Sequence, residues 1–238
     1  MRFITKPAIK LISRALDPII GQRITSLETR LHRKTASVLL EINEYLIHAD
    51  LDGDYLEFGV YRADTFAYAC GLLGRNYPKM RFYAFDSWEG LPEASGLDDQ
   101  NGYTSGFKEG QYRGELDEFW QKVSNSGIDR GRVHTIQGWF DKTLVPNHPE
   151  SSPVSKAAIA WVDCDYYDST VPVLEYLTPR ISDGTVIVFD DWRCYRNLPN
   201  LGMQRACSEW LNKNSQIRLH ELLSYSWNGI AFTVEIVK

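Results

Sequence analysis

The sequence predicts an α/β protein: a doubly wound, mostly parallel seven-stranded sheet with a helical cap at its N-terminus and an antiparallel hairpin at its C-terminus. Three observations predict it. Two short β-branched runs, Trp161-Val162-Asp163-Cys164-Asp165 and Val186-Ile187-Val188-Phe189-Asp190-Asp191, each end in paired carboxylates, as buried parallel strands do when they deliver charge to the carboxyl edge of a sheet. Asp54 to Val60 reads as a strand that runs through a Gly59 turn into a helix, the opening unit of such a sheet. Two strands near the C-terminus are joined by Ser226-Trp227-Asn228-Gly229, a link so short that they must be antiparallel.

The 238 residues suit one α/β domain with an appendage, residues 1–50 forming the cap and 51–238 the main domain. A net charge of −5 gives no whole-domain basic field, which argues against nucleic acid as a partner. Cys70, Cys164, Cys194 and Cys207 form no CxxC pair and no ligand spacing, which points to a reduced, cytoplasmic setting. No run is long enough for stable membrane insertion. Residues 1–16 are basic and amphipathic, but Lys6 and Lys10 interrupt what would be the apolar core of a signal peptide. They read as a surface helix packing on this domain or on a second subunit of a homo-oligomer, with weak membrane-surface contact as the alternative.

In chain order, Leu39, Ile42, Leu46 and Ala49 recur at helical spacing over residues 35–49. After the first strand, Phe66, Ala69, Cys70 and Leu73 lie on one helical face, which Gly74 is expected to close. An adenosine-containing ligand normally binds beside such a strand-turn-helix, although a tight structural turn explains the lone glycine equally well. The strand over residues 80–88 ends in Asp86, where a carboxylate can accept from both hydroxyls of a ribose; with Ser87 beside it, a helix N-cap is the alternative.

Residues 90–114 are a long irregular stretch rich in Gly, Asp and Tyr, expected to act as a mobile lid or else to be an inert insertion. Leu116, Phe119, Trp120 and Val123 mark a helix ended by Gly127, and residues 132–137 the third strand. At its tip Gly138-Trp139-Phe140 offers aromatic rings either to an adenine or to the core. After the first carboxylate strand, Asp168 and Ser169 are expected to start a helix carrying Pro172 in its first turn and stopping before Pro179. Met203, Ala206, Cys207, Trp210 and Leu211 mark a further helix, and strands over about 217–222 and 230–237 close the chain as an edge hairpin. Trp192 and Tyr195 are expected to wall the pocket.

The four acids carry the chemistry. Side chains two apart on a strand share a face, so Asp163 and Asp165 should point one way and Cys164 the other; Asp190 and Asp191 join them only if the chain turns after Phe189. Carboxylates within about 4 Å of one another repel by several kcal/mol even at an effective dielectric of about 20, so protons or a hard divalent cation must sit among them.

Leu56-Glu57-Phe58-Gly59-Val60-Tyr61-Arg62, Phe85-Asp86-Ser87-Trp88-Glu89-Gly90-Leu91-Pro92, Gly138-Trp139-Phe140, Val162-Asp163-Cys164-Asp165-Tyr166-Tyr167-Asp168-Ser169-Thr170 and Phe189-Asp190-Asp191-Trp192 follow one another in an order that resembles the TylF/MycF (macrocin and mycinamicin) type of sugar O-methyltransferase. Gly202 to Trp210 adds a weaker match. The resemblance spans nearly all of the chain after residue 50 and implies the Rossmann-like fold of class I S-adenosylmethionine-dependent methyltransferases. It further implies magnesium held by Asp163, Asp190 and Asp191, and Asp165 as general base. Glu57, Gly59, Val60, Tyr61, Thr65, Asp86, Ser87 and Asp163 would lie along S-adenosylmethionine, with Gln137, Gly138, Trp139 and Phe140 near its adenine. The family pattern usually continues after Arg62 with two glycines, where this chain has Ala63-Asp64.

The implied acceptor is a small molecule bearing a sugar or another diol. A catechol or phenol acceptor chelates the same ion, and a non-catalytic S-adenosylmethionine-binding domain needs no base. A metal-dependent phosphohydrolase also pairs Asp-x-Asp with Asp-Asp, but it needs a Lys between the motifs, and none lies between Asp163 and Asp191.

Overall fold

The computed structural model describes residues 27–99, 107–151 and 153–237. The basic N-terminal stretch and residues 100–106 of the expected lid lie outside them. No described helix is long and apolar enough to cross a membrane. The four cysteines form no disulfide.

Seven strands form one sheet: β1 (Asp54–Phe58), β2 (Phe82–Asp86), β3 (Val133–Gln137), β4 (Ala157–Val162), β5 (Val186–Phe189), β6 (Ile217–Tyr225) and β7 (Gly229–Ile236). Their order is β3-β2-β1-β4-β5-β7-β6. The first five pair in parallel, and β7 runs antiparallel to both β5 and β6. The closing hairpin is therefore not simply appended at an edge. Its second strand enters beside β5, because Ile230, Ala231 and Val234 are apolar enough to be buried there, while the half-exposed β6 takes the rim.

Helices α1 (Leu27–Ala49), α2 (Asp64–Asn76) and α4 (Leu116–Asn125) pack on one face; α5 (Phe140–Thr143), α6 (Tyr167–Leu177) and α7 (Gly202–Lys213) pack on the other. A single-turn helix α3 (Gly96–Asp99) lies between β2 and α4. Strand alternation feeds both layers: Tyr55 joins the first core while Leu56 and Phe58 join the second. On α1 the stripe is Val38, Leu39, Ile42 and Leu46. Full burial of each of these last three contributes about 2 kcal/mol. Ala49 is exposed instead, because the helix ends there.

Three local expectations are corrected. Gly74 does not close α2, which continues to Asn76; a Cβ at Gly74 would stand 2.4 Å from Ile128 Cδ1, so the glycine admits a neighbour. Neither Asp168 nor Ser169 starts α6, and Pro172 falls in its second turn. The helix begins at Tyr167, and its first amides are met by Asp98, which lies far away in sequence. Strand β4 stops at Val162, so Asp163, Cys164 and Asp165 belong to the following loop and the two-residue alternation does not apply to them.

Candidate active site

The sheet changes winding direction between β1 and β4, the point at which open α/β sheets bind ligands beyond their carboxyl ends. A cavity of about 1080 Å³ opens there. Pockets for one drug-sized ligand span about 300–1,000 Å³, so this one stands at the top of that range.

Its first wall is the turn after β1. The amide of Gly59 donates to Phe85 O at 2.8 Å, and the amide of Asp163 donates to Phe58 O at 2.9 Å. Gly59 has φ +86°, and a Cβ there would lie 1.8 Å from the carbonyl oxygen of Asp163. Gly59→Ala is therefore expected to destabilise the fold by at least about 3 kcal/mol, through left-handed strain plus a backbone clash. Urea unfolding measures this, and a loss below 1 kcal/mol would mean that the two strand tips do not approach so closely.

Asp86 braces the same turn. Its Oδ2 accepts from the amides of Val60 (2.8 Å) and Tyr61 (3.2 Å), and its Oδ1 from that of Trp88 (2.7 Å). Burial raises its pKa, opposed by those amides. A carboxylate offers roughly four lone-pair positions, and these amides, with that of Ser87 also favouring the charged form, take up most of them. No helix starts at Ser87; its hydroxyl accepts from the amide of Glu89 and donates to Gly90 O. Ala63 sits at φ +60°, a left-handed position that a glycine would occupy without strain. The carboxylate of Asp64 is met by Lys122 Nζ at 2.7 Å, so it adds no uncompensated charge.

Glu57, Gly59, Val60, Tyr61, Thr65, Asp86, Ser87, Gly138, Trp139 and Phe140 all line the cavity. Gln137 does not: it is the exposed last residue of β3. Trp192 and Tyr195 also fall outside it. Trp192 packs on Phe189 and Phe232, and Tyr195 is buried with Tyr166, Leu91 and Leu201.

The second wall is acidic. One carboxylate oxygen each from Asp163, Asp190 and Asp191 lies within 4.8 Å of the others. Asp165, at φ +58°, hangs its amide on Asp191 Oδ2 at 3.2 Å. Among the described residues no Lys or Arg forms an ion pair with these four acids. Burial, and then neighbouring carboxylates, push Asp163 and Asp165 well above the usual range, and raise Asp190 to about 7. Burial also raises Asp191, opposed by Cys194 and by the Asp165 amide. Glu57, buried beneath them, is raised by burial although the Tyr55 hydroxyl donates to it.

Sequence reasoning missed the groups that hold this cluster. The Tyr225 hydroxyl donates to Asp190 Oδ1 at 2.5 Å, the Asn228 side chain favours the charged forms of Asp190 and Asp191, and Cys194 Sγ donates to Asp191 Oδ1 at 3.2 Å. The first two flank the β6–β7 turn, and only the insertion of β7 beside β5 carries them to the acids. An Asn three residues after the Tyr that ends β6 was the one available signal.

The chain is similar to proteins of one kind. It is 27% identical over 154 residues to 8-demethyl-8-(2,3-dimethoxy-alpha-L-rhamnosyl)-tetracenomycin-C 4'-O-methyltransferase of Streptomyces olivaceus, covering 63% of this chain and 56% of that protein. It is 26% identical over 175 residues to mycinamicin III 3''-O-methyltransferase of Micromonospora griseorubida, covering 71% and 66%. The chain thus spans less than two thirds of the length of the curated relatives it matches. Among solved structures, the O-methyltransferase NovP superposes with a TM-score of 0.69 at 22% identity, covering 86% of this chain and 80% of NovP. The calicheamicin methyltransferase CalS11 superposes with a TM-score of 0.64 at 17% identity, covering 98% and 94%. These two establish the fold. The family described as Macrocin-O-methyltransferase (TylF) matches residues 28–217, which include the five parallel strands and the cavity-lining residues apart from 225–228, and the chain belongs to that family.

Proposed function

We propose that this protein transfers the methyl group of S-adenosylmethionine to a hydroxyl of a sugar, with a magnesium ion held by Asp163, Asp190 and Asp191. One observation carries the reading: the glycine turn after β1 and the acid cluster line the same cavity, so donor and acceptor sites are contiguous. The family supports methyl transfer, and the sugar acceptor follows from relatives whose names specify a rhamnosyl 4'-position and a 3''-position.

The donor set suits a hard divalent ion, being all oxygen, half-buried and strained by mutual repulsion. When bound, the ion supplies positive charge that offsets this repulsion and lowers the pKa of a hydroxyl beside it.

Glu57, Gly59, Val60, Tyr61 and Thr65 line the place for the amino-acid end of the donor, and Asp86 lines the place for its ribose. Trp139 and Phe140 flank the adenine. Asp165 takes the proton of the acceptor hydroxyl onto its carboxylate. Burial makes it a stronger base than an exposed aspartate, and it needs only modest strength, since the sulfonium methyl is already activated. The new O–C bond forms as the C–S bond breaks in line with it, and the donor leaves as the neutral thioether. What the cavity walls add is alignment and exclusion of water.

The test is incubation with methyl-labelled S-adenosylmethionine and magnesium against a panel of glycosides, nucleotide sugars and catechols. Label is expected in a sugar hydroxyl, with equimolar S-adenosylhomocysteine. Label confined to catechols would overturn the acceptor class, and the absence of S-adenosylmethionine binding by calorimetry would overturn the donor.

A further inference from the structure

Helix α6 starts without a capping side chain of its own. Its N-cap residue is Tyr166, which offers no capping hydrogen bond, yet its first amides lie beside the loop that carries Asp165. The missing acceptor comes from α3, some 70 positions away in sequence. Asp98 Oδ1 accepts from the amide of Tyr167 at 2.8 Å and Oδ2 from that of Asp168 at 3.0 Å. The Tyr195 hydroxyl donates to Asp98 Oδ1 at 3.3 Å, and the Ser95 hydroxyl to Asp168 Oδ2 at 3.1 Å. Asp98, in the single-turn helix α3, is only 2% exposed.

One carboxylate thus gathers three segments: the stretch before residue 100, the first turn of α6, and the loop after β5. A small apolar cluster supports the junction. Leu91, Tyr166, Tyr195 and Leu201 are buried together, and Phe107 meets Tyr166 edge-on at 5.8 Å. Between this junction and the acids stands Asp165. Its loop is held on one side by its amide bond to Asp191 and on the other by Asp98. Asp165 occupies a left-handed conformation, φ +58°, and the two attachments together fix where its carboxylate stands.

We propose that Asp98 is a positioning residue for the transfer step: it clasps the segment before residue 100 to the start of α6 and so holds the Asp165 loop against the acid cluster. The role given to Asp165 rests on the proposed function; the clasp itself does not. A misplacement of about 1 Å at a reacting group costs roughly 10²-fold in rate, which sets the expected scale.

The experiment compares Asp98→Ala, Asp98→Asn and Tyr195→Phe with the unaltered chain, by amide hydrogen exchange without ligands and by kinetics with S-adenosylmethionine, magnesium and a sugar acceptor. In Asp98→Ala, exchange is expected to quicken by about tenfold or more in peptides covering residues 163–170 and also in those covering 90–99. Asn, which keeps one acceptor oxygen but turns an NH₂ toward the second amide, falls in between, and Tyr195→Phe shows a smaller change of the same kind. The kcat is expected to fall by roughly 10²-fold in Asp98→Ala while S-adenosylmethionine affinity stays within about twofold, a split that general loss of stability does not produce. Unchanged exchange over 163–170 in the folded variants, or wild-type kcat in Asp98→Ala or Asp98→Asn, would overturn the clasp. If Asp98→Ala fails to fold, the other two variants decide. If the unaltered chain transfers no methyl group, the proposed function fails, and the exchange data still decide the role of Asp98.

Discussion

Asp165→Asn is expected to lower the rate of methyl transfer by roughly 10²–10⁴-fold while leaving S-adenosylmethionine and magnesium affinities within about threefold of the unaltered protein. The substitution suits the question because it changes one property. Asparagine tolerates the left-handed backbone at this position at least as well as aspartate, so φ +58° adds no new strain. The amide of residue 165 still donates to Asp191 Oδ2, so the loop keeps its anchor to the cluster. Asp165 is not among the three acids whose oxygens converge within 4.8 Å, so the cation site keeps its carboxylates. What disappears is a group able to accept a proton. Single-turnover rates measure the chemistry and calorimetry the two affinities. Turnover within about fivefold of normal would remove Asp165 from the role of base, and a large loss of magnesium affinity would move it into the ion's ligand set.

The second large effect is expected from Asp190→Asn. The Asn side-chain oxygen can still accept from the Tyr225 hydroxyl, so the β6–β7 turn stays in place while one ligand charge is lost. Loss of an outer partner of a metal ligand already costs about 10–100-fold in affinity, so loss of a ligand is expected to cost at least roughly 10²-fold, with activity falling in parallel at fixed magnesium. The same variant should behave oppositely in chelator. Asp190 has its pKa raised from the usual range to about 7 in the folded chain, by burial and by Asp191. A carboxyl raised on folding favours the folded state while protonated, and that contribution is lost as pH rises from about 4 through 7. At pH 8 in chelator, Asp190→Asn is therefore expected to melt above the unaltered protein. In magnesium at about a hundredfold over Kd the order reverses, because binding stabilises the unaltered protein by about 2.7 kcal/mol, worth roughly 5–10 °C for a chain of this size. Thermal melts with and without chelator check both halves. Equal magnesium-induced shifts in the two proteins would place the ion elsewhere or nowhere.

Much of this site was legible because it lies at strand ends. An apolar β-branched run has one way to be buried in a parallel sheet, and whatever follows it must emerge at the carboxyl edge; Val162 and Phe189 therefore deliver the acids after them to one place. Gly59 was legible for a similar reason, since a turn that tight between strand and helix needs a residue without a Cβ. The reading faltered where a residue's partner is remote. Asp168 and Ser169 look like a helix start, yet the helix begins earlier, at Tyr167, where Asp98 meets the amides of Tyr167 and Asp168, and local propensity carries no trace of a partner some 70 positions away. Gly74 looked like a helix terminus and proved to be a contact with Ile128. Gln137 shares the strand tip of Gly138 but faces away from the cavity.

By itself, then, the order of residues determined the seven strands, the longer helices between them and the gathering of acids beside a glycine turn, because hydrophobic period and chain direction are local properties that leave a parallel sheet few alternatives; the single-turn helices α3 and α5 are too short to show a period. Only the tertiary structure decided which groups hold those carboxylates. Tyr225 and Asn228 reach them because β7 inserts beside β5, and Asp98 reaches the start of α6, next to the Asp165 loop, through the amides of Tyr167 and Asp168. Hydrogen bonds between segments distant in sequence form where packing brings donor and acceptor together, and that proximity belongs to the folded chain rather than to any stretch of it.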